Sequence, residues 1–191
     1  MKKIVRFIPN GITVLRIIMS ILFVSNILEQ FKHGQQKIFS LIALFFCICV
    51  SDFIDGYIAR KFNCTSTAGA KLDIFADLFF IISSYVILII LRILPLWFLI
   101  FMCLKFIEFL CTSNFIKRYD KLSMHPFIFD RLGRIAAVMI FIVPGIACIF
   151  NIFTYDNSAY MVNFLLYIIL ILGLLSSCLR IRKCFKLQFV I

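Results

Sequence analysis

Acid is scarce in this chain. Nine of its 191 residues are Asp or Glu, against 20 Lys and Arg, which leaves a formal net charge of +11. Histidine is scarcer still: His33 and His125 are the only two, too few and too far apart in the chain for a histidine-based metal centre. Four prolines and seven glycines are spread thinly, and no internal repeat or low-complexity linker appears. The eight cysteines (Cys47, Cys49, Cys64, Cys103, Cys111, Cys148, Cys178 and Cys184) contain no C-x-x-C pair, which excludes a zinc ribbon or a thioredoxin-type motif. Most lie in apolar runs, where a free thiol serves as a small hydrophobe. A cleavable signal peptide is not expected either, because Arg16 interrupts the first apolar run and no small-x-small site follows near Asn26.

What is abundant is apolar surface. The hydrophobic fraction is 63% and the mean hydropathy +1.08, where soluble domains have about 45–50%. The chain reads as an all-α, polytopic membrane protein of one domain, residues 1–191. Six transmembrane helices are expected at about 12–28, 38–62, 69–91, 96–116, 135–153 and 160–179, behind a short amphipathic segment in residues 1–11 that carries Lys2, Lys3 and Arg6. Pro144 and Gly145 mark a kink in the fifth span. The excess positive charge then belongs to topology and to an anionic bilayer surface, and not to a nucleic acid partner. Fourteen of the twenty basic residues fall in the N-terminal segment, the Arg60–Lys61 loop, the loop after the fourth span and the C-terminal tail. The opposite loops hold Lys32, Lys37 and Arg92. Both termini are therefore expected on the cytoplasmic side of the cell inner membrane.

Against that background four of the nine acids crowd into 26 residues: Asp52-x-x-Asp55-Gly56-x-x-Ala59-Arg60, eight residues, then Gly69-x-x-x-Asp73-x-x-x-Asp77. Ionisable residues in membrane helices are costly and mark function by default. Residues three or four apart share a helix face, so Asp52 and Asp55 form one pair and Asp73 and Asp77 another. A hairpin of the two helices gathers all four. Two carboxylates about 6 Å apart repel by roughly 3 kcal/mol at an effective dielectric near 20, so four together need cations or protons. An all-oxygen donor set suits Mg²⁺ or Mn²⁺. Gly56 admits a bulky ligand to the backbone, and Arg60 presents a fork suited to phosphate. The combination points to phosphoryl transfer from a diphosphate.

The stretch resembles the signature of the CDP-alcohol phosphatidyltransferases, D-x2-D-G-x2-A-R-x8-G-x3-D-x3-D, at every fixed position. Eight chance matches have a probability on the order of 10⁻¹⁰ per start position. The resemblance implies a donor, CDP-diacylglycerol, a small alcohol acceptor, release of CMP, two Mg²⁺ or Mn²⁺ ions, and a homodimer. It implies that Asp52 and Asp73 touch both ions, that Asp55 helps hold the first, and that Asp77 touches the second and acts as the general base. Pro9, Asn10, Thr13 and Arg16 fit a Pro-Asn-x-x-Thr-x-x-Arg stretch seen in many members, which implies that Asn10 and Thr13 touch the cytidine nucleotide. Helix capping explains the same residues. Ser66 is implied to contact the nucleotide phosphates, while Gly69 suits close helix packing.

The acceptor is less sharply marked. A phosphate-bearing alcohol needs cations facing the site, and Lys105, Arg131 and Arg134 are the candidates, although charge bias alone places arginines in that loop. Lys105 and Glu108, three residues apart in the fourth span, equally suit a salt bridge facing the bundle interior. Many relatives that make phosphatidylglycerol phosphate carry lysine after the fourth aspartate, where this chain has Leu78. The serine found between the last two aspartates of serine-using relatives is absent from Leu72-Asp73-Ile74-Phe75-Ala76-Asp77. Glycerol 3-phosphate is expected first, as the commonest bacterial acceptor, with serine or another alcohol next. Two other classes compete. Aspartate-rich membrane prenyltransferases place their two motifs in widely separated helices, unlike the adjacent pairs here. A cation transporter calls for a midplane site and broken or repeated helices, and neither is visible.

Overall fold

The computed structural model describes residues 8–34, 36–61, 67–119, 131–153 and 158–189. Among them are six helices and no strand: α1 (Ile8–Phe31), α2 (Ile38–Lys61), α3 (Thr67–Ile90), α4 (Leu96–Tyr119), α5 (Arg131–Phe153) and α6 (Ser158–Phe189). The first four are 24 residues each, about 36 Å at 1.5 Å per residue, enough for a hydrocarbon core of about 30 Å. Five helices contain stretches both long and apolar enough to cross a membrane: Gly11–Phe31, Leu72–Ile90, Leu96–Ile116, Leu132–Phe153 and Ala159–Phe185. In α2, which runs to Lys61, a shorter apolar stretch, Ile38–Ile54, lies among the described residues and already contains Asp52. The protein is a multi-pass membrane protein. Its outward faces agree, with Phe39 86% and Phe164 68% exposed, a surface that needs lipid as its solvent.

Two boundaries differ from expectation. The amphipathic N-terminal segment falls mostly outside the described residues, and α1 already begins at Ile8 with Pro9 in its first turn, where the missing N–H costs nothing. The last helix does not end with its apolar run at residue 179 but continues through the basic stretch to Phe189. Polarity marks where a helix leaves the bilayer, not where it stops. No Gly or Pro follows Gly173, and Leu, Arg, Lys and Gln all favour the helix. Pro144 likewise lies inside an uninterrupted α5.

The chain forms two compact units. One comprises α1, α2, α3 and the end of α5 from Pro144; the other comprises α4, α5 up to Val143, and α6. In the first, α1 packs on both α2 and α3. It does so through one buried stripe, Thr13, Arg16, Ser20, Phe23 and Ile27, at helical spacing. The stripe is polar toward the helix start and apolar beyond. Phe23, Phe45 and Phe80 form an aromatic cluster with centroids 5.7–6.5 Å apart. Gly145 presses on it: a Cβ there would stand 2.5 Å from Cζ of Phe45 and 2.6 Å from its Cδ1. Any shift of the ring disturbs its contacts with Phe23 and Phe80. Gly145→Ala is expected to cost about 1–3 kcal/mol, read as a lower melting temperature in detergent, with Phe45→Leu in the same chain restoring part of it.

The turn after α3 is a Schellman motif. Arg92 N–H donates to the Ile89 carbonyl at 2.9 Å and Ile93 N–H to the Leu88 carbonyl at 2.8 Å. It puts Arg92 in the left-handed region, φ 59°, where a Cβ costs roughly 1–2 kcal/mol. Arg92→Gly removes that strain and is expected to raise stability by about 1 kcal/mol, measurable as a higher melting temperature.

In the second unit α4 packs on α6 through polar groups that are buried or half-buried. Lys105 Nζ donates to Glu108 Oε2 and to Ser177 Oγ, both at 2.7 Å, and Ser177 Oγ donates to the same Glu108 oxygen at 2.7 Å. Arg180, buried, donates to Thr112 Oγ1 at 2.7 Å and Ser113 Oγ at 2.9 Å and lies 4.6 Å over the Phe109 ring. Such pairing is what makes charge tolerable between membrane helices.

Candidate active site

Three of the four acids, Asp52, Asp73 and Asp77, come together on α2 and α3; the side chain of Asp55 lies outside the described residues. Asp52 follows the buried Ser51 on α2; Asp73 and Asp77 flank the fully buried Ala76 on α3. One carboxylate oxygen from each of Asp52, Asp73 and Asp77 lies within 4.8 Å of the others. All three side chains are partly exposed, at 44%, 39% and 33%.

Under them lies Arg16 of α1, with none of its side chain exposed. Its Nη1 stands 2.6 Å from Asp77 Oδ1, 2.9 Å from Asp73 Oδ1 and 3.1 Å from Asp52 Oδ1. Its Nε lies 3.4 Å from Ser51 Oγ. Ser20 Oγ donates to the Arg16 carbonyl at 2.7 Å, inside α1. One guanidinium thus meets three carboxylates on two other helices. Burying a charge is tolerated only when it is paired in this way. One positive charge faces three negative ones, so net negative charge remains at the partly exposed carboxylates. Three carboxylates whose oxygens approach this closely fit a hard divalent ion, and Asp52, Asp73 and Asp77 are the residues able to hold it.

The other expected site residues are placed as follows. Thr13 is buried on the same stripe of α1 as Arg16, one turn toward the helix start. Asn10 lies in the first turns of α1, Asp55, Gly56 and Arg60 in the last turns of α2, and Arg131 opens α5; their side chains fall outside the described residues. Ser66 lies wholly outside them. Lys105 is engaged by Glu108 and Ser177 in the second unit, as a salt-bridge reading anticipates. Arg134 is an exposed residue of α5 in that unit. The central position of Arg16, and Ser51 beside it, went unassigned from sequence. The signal was present: a lone arginine in an apolar span, three residues from Thr13 and four from Ser20.

Clustered aspartates on two neighbouring helices of a membrane protein suit a metal-dependent enzyme acting on a lipid substrate. The sequence profile of the CDP-alcohol phosphatidyltransferases matches residues 6–177, and the chain belongs to that family. It is an enzyme, a transferase of phospholipid biosynthesis, from a metal-dependent family. It is 28% identical over 185 residues to a CDP-diacylglycerol–glycerol-3-phosphate 3-phosphatidyltransferase of Aquifex aeolicus (strain VF5), covering 95% of this chain and 98% of that protein. A protein of the same description from Bacillus subtilis (strain 168) is 29% identical over 102 residues, 49% of this chain and 53% of that one. A cardiolipin synthase (CMP-forming) of Streptomyces coelicolor is 37% identical over 90 residues, 47% of this chain and 42% of that one.

Proposed function

We propose that the whole chain is a single phosphatidyltransferase domain that moves a phosphatidyl group from CDP-diacylglycerol to glycerol 3-phosphate and releases CMP. The observation that carries this reading is the convergence of Asp52, Asp73 and Asp77 within a signature matched at every fixed position. The acceptor rests on the Aquifex and Bacillus relatives, whose names state glycerol 3-phosphate. Two Mg²⁺ or Mn²⁺ ions held by the aspartates would supply charge neutralisation for the donor diphosphate and the departing CMP.

The protein's own residues do the rest. Asp52, Asp55, Asp73 and Asp77 hold the cations. Asp77 also accepts the proton of the acceptor hydroxyl as its oxygen attacks the lipid-side phosphorus, and the bond from that phosphorus to the CMP oxygen breaks. Asp77 works by position, beside the hydroxyl whose proton it takes. Asn10, Thr13, Gly56, Arg60 and Ser66 receive the nucleotide, and Lys105, Arg131 and Arg134 are the acceptor-side cations. The positive-charge bias puts both termini and the acidic site on the cytoplasmic side of the inner membrane, where soluble acceptor and CMP are exchanged. The enzyme works as a homodimer.

The test is an acceptor panel. Purified protein with CDP-diacylglycerol and Mn²⁺ is offered glycerol 3-phosphate, serine, inositol 1-phosphate or phosphatidylglycerol, and the lipid product is identified by mass. Phosphatidylglycerol phosphate is the expected product. Cardiolipin from phosphatidylglycerol alone would assign the activity named for the Streptomyces relative. No product with any alcohol would overturn the reading and favour a cation transporter.

A further inference from the structure

We propose that Arg16 is a resident counter-ion that occupies a metal seat, holds the aspartates together while the site is metal-free, and gives way when a divalent ion loads. The inference rests on the proposed metal-binding role of the aspartates. Its geometry is that of a single atom. Nη1 of Arg16 lies within 3.1 Å of one oxygen from each of three carboxylates. Mg²⁺ needs its oxygens at about 2.0–2.1 Å, so an ion reaching those same three oxygens claims the position Nη1 now fills. The two cations exclude each other.

The surroundings suit an exchange. The guanidinium enters from beneath, fully buried, while the carboxylates are open on the other side, so the ion arrives from one face and the arginine draws back on the other. Ser51 Oγ, 3.4 Å from Nε, offers the withdrawn group an acceptor. Ser51 itself is fixed by donating to the Ile48 carbonyl at 2.8 Å. The device solves a problem set by the sequence. Clustered carboxylates in a membrane repel when no metal is present. An arginine on a third helix keeps α2 and α3 in register through that interval. In exchange, metal binds with an affinity reduced by the fraction of time Arg16 holds the seat.

A role as a mere structural tie predicts the opposite for metal affinity, so a titration separates them. Wild type, Arg16→Gln and Arg16→Lys are purified in detergent, stripped with chelator and titrated with Mn²⁺, free ion being read by electron paramagnetic resonance. Melting curves are recorded with and without Mn²⁺. Arg16→Gln is expected to bind Mn²⁺ more tightly, on the order of tenfold. It is expected to melt below wild type in chelator and to gain more from Mn²⁺ than wild type does. Arg16→Lys keeps the charge on a shorter donor and remains usable if the glutamine variant does not fold; it is expected to bind Mn²⁺ more tightly than wild type by a smaller factor. Equal or weaker Mn²⁺ binding by the variants, with wild type binding normally, would overturn the role of Arg16 and leave the metal site standing. Absence of Mn²⁺ binding by wild type would overturn the metal site itself, and this role with it.

Discussion

Asp77→Asn is expected to lower turnover by at least about 10³-fold while CDP-diacylglycerol still binds in the presence of Mn²⁺. The substitution keeps shape and keeps an oxygen to accept from Arg16 Nη1, now 2.6 Å away, so the packing of α1 against α3 survives. What it removes is the proton acceptor and a negative charge at the cation cluster. A general base contributes about 10²–10⁴-fold, and the weakened hold on one cation adds to that. Turnover is measured as CMP release, and binding by retention of radiolabelled CDP-diacylglycerol on the purified variant. Loss of donor binding with metal present would contradict the base role and make Asp77 a binding residue first.

Asp52→Asn is expected to act differently, lowering metal affinity and turnover together. Replacing an outer partner of a metal ligand costs about 10–100-fold in affinity, and a direct ligand is worth more. Asp52 is the most exposed of the three acids and the farthest from Arg16 Nη1, so its loss disturbs the arginine pairing least and the effect reports on the cations. Mn²⁺ titration and initial rates at saturating and limiting Mn²⁺ distinguish the cases. High Mn²⁺ should recover part of the activity of Asp52→Asn and none of that of Asp77→Asn. Full activity of Asp52→Asn at ordinary Mn²⁺ would remove Asp52 from the metal site.

The contrast between the two variants follows from features that differ in how visible they are in sequence. The acids were legible because they are rare: four of nine in 26 residues, at helical spacing, in an otherwise apolar chain. The helices were legible for the same reason, since long apolar runs admit few alternatives. Arg16 was not. A lone arginine near the start of an apolar span suits snorkelling to the interface as well as pairing. Only the packing of α1 on both α2 and α3 decides, and that depends on contacts 35 to 61 residues apart in the chain. Gly145 is a similar case. It marks a kink by sequence, but its observed task is to make room for Phe45, a hundred residues earlier. The end of α6 was missed because hydropathy reports the solvent around a helix and not its hydrogen bonds.

Lys105 shows the limit from the other side. Its spacing to Glu108 allowed a salt bridge or a ligand for the acceptor, and the structure commits its ammonium to Glu108 and Ser177. Acceptor binding by Lys105 requires that pair to part, so Lys105→Met is expected to disturb the α4–α6 packing before it reports on the acceptor.

The catalytic role proposed for Asp52, Asp73 and Asp77 requires that they hold cations and that donor binding depends on those cations. Equilibrium binding of CDP-diacylglycerol to the purified protein, with chelator and then with Mn²⁺, tests that link without needing the acceptor. Binding that appears with Mn²⁺ and disappears in Asp73→Asn is the result predicted. Donor binding of equal strength with and without metal would contradict it.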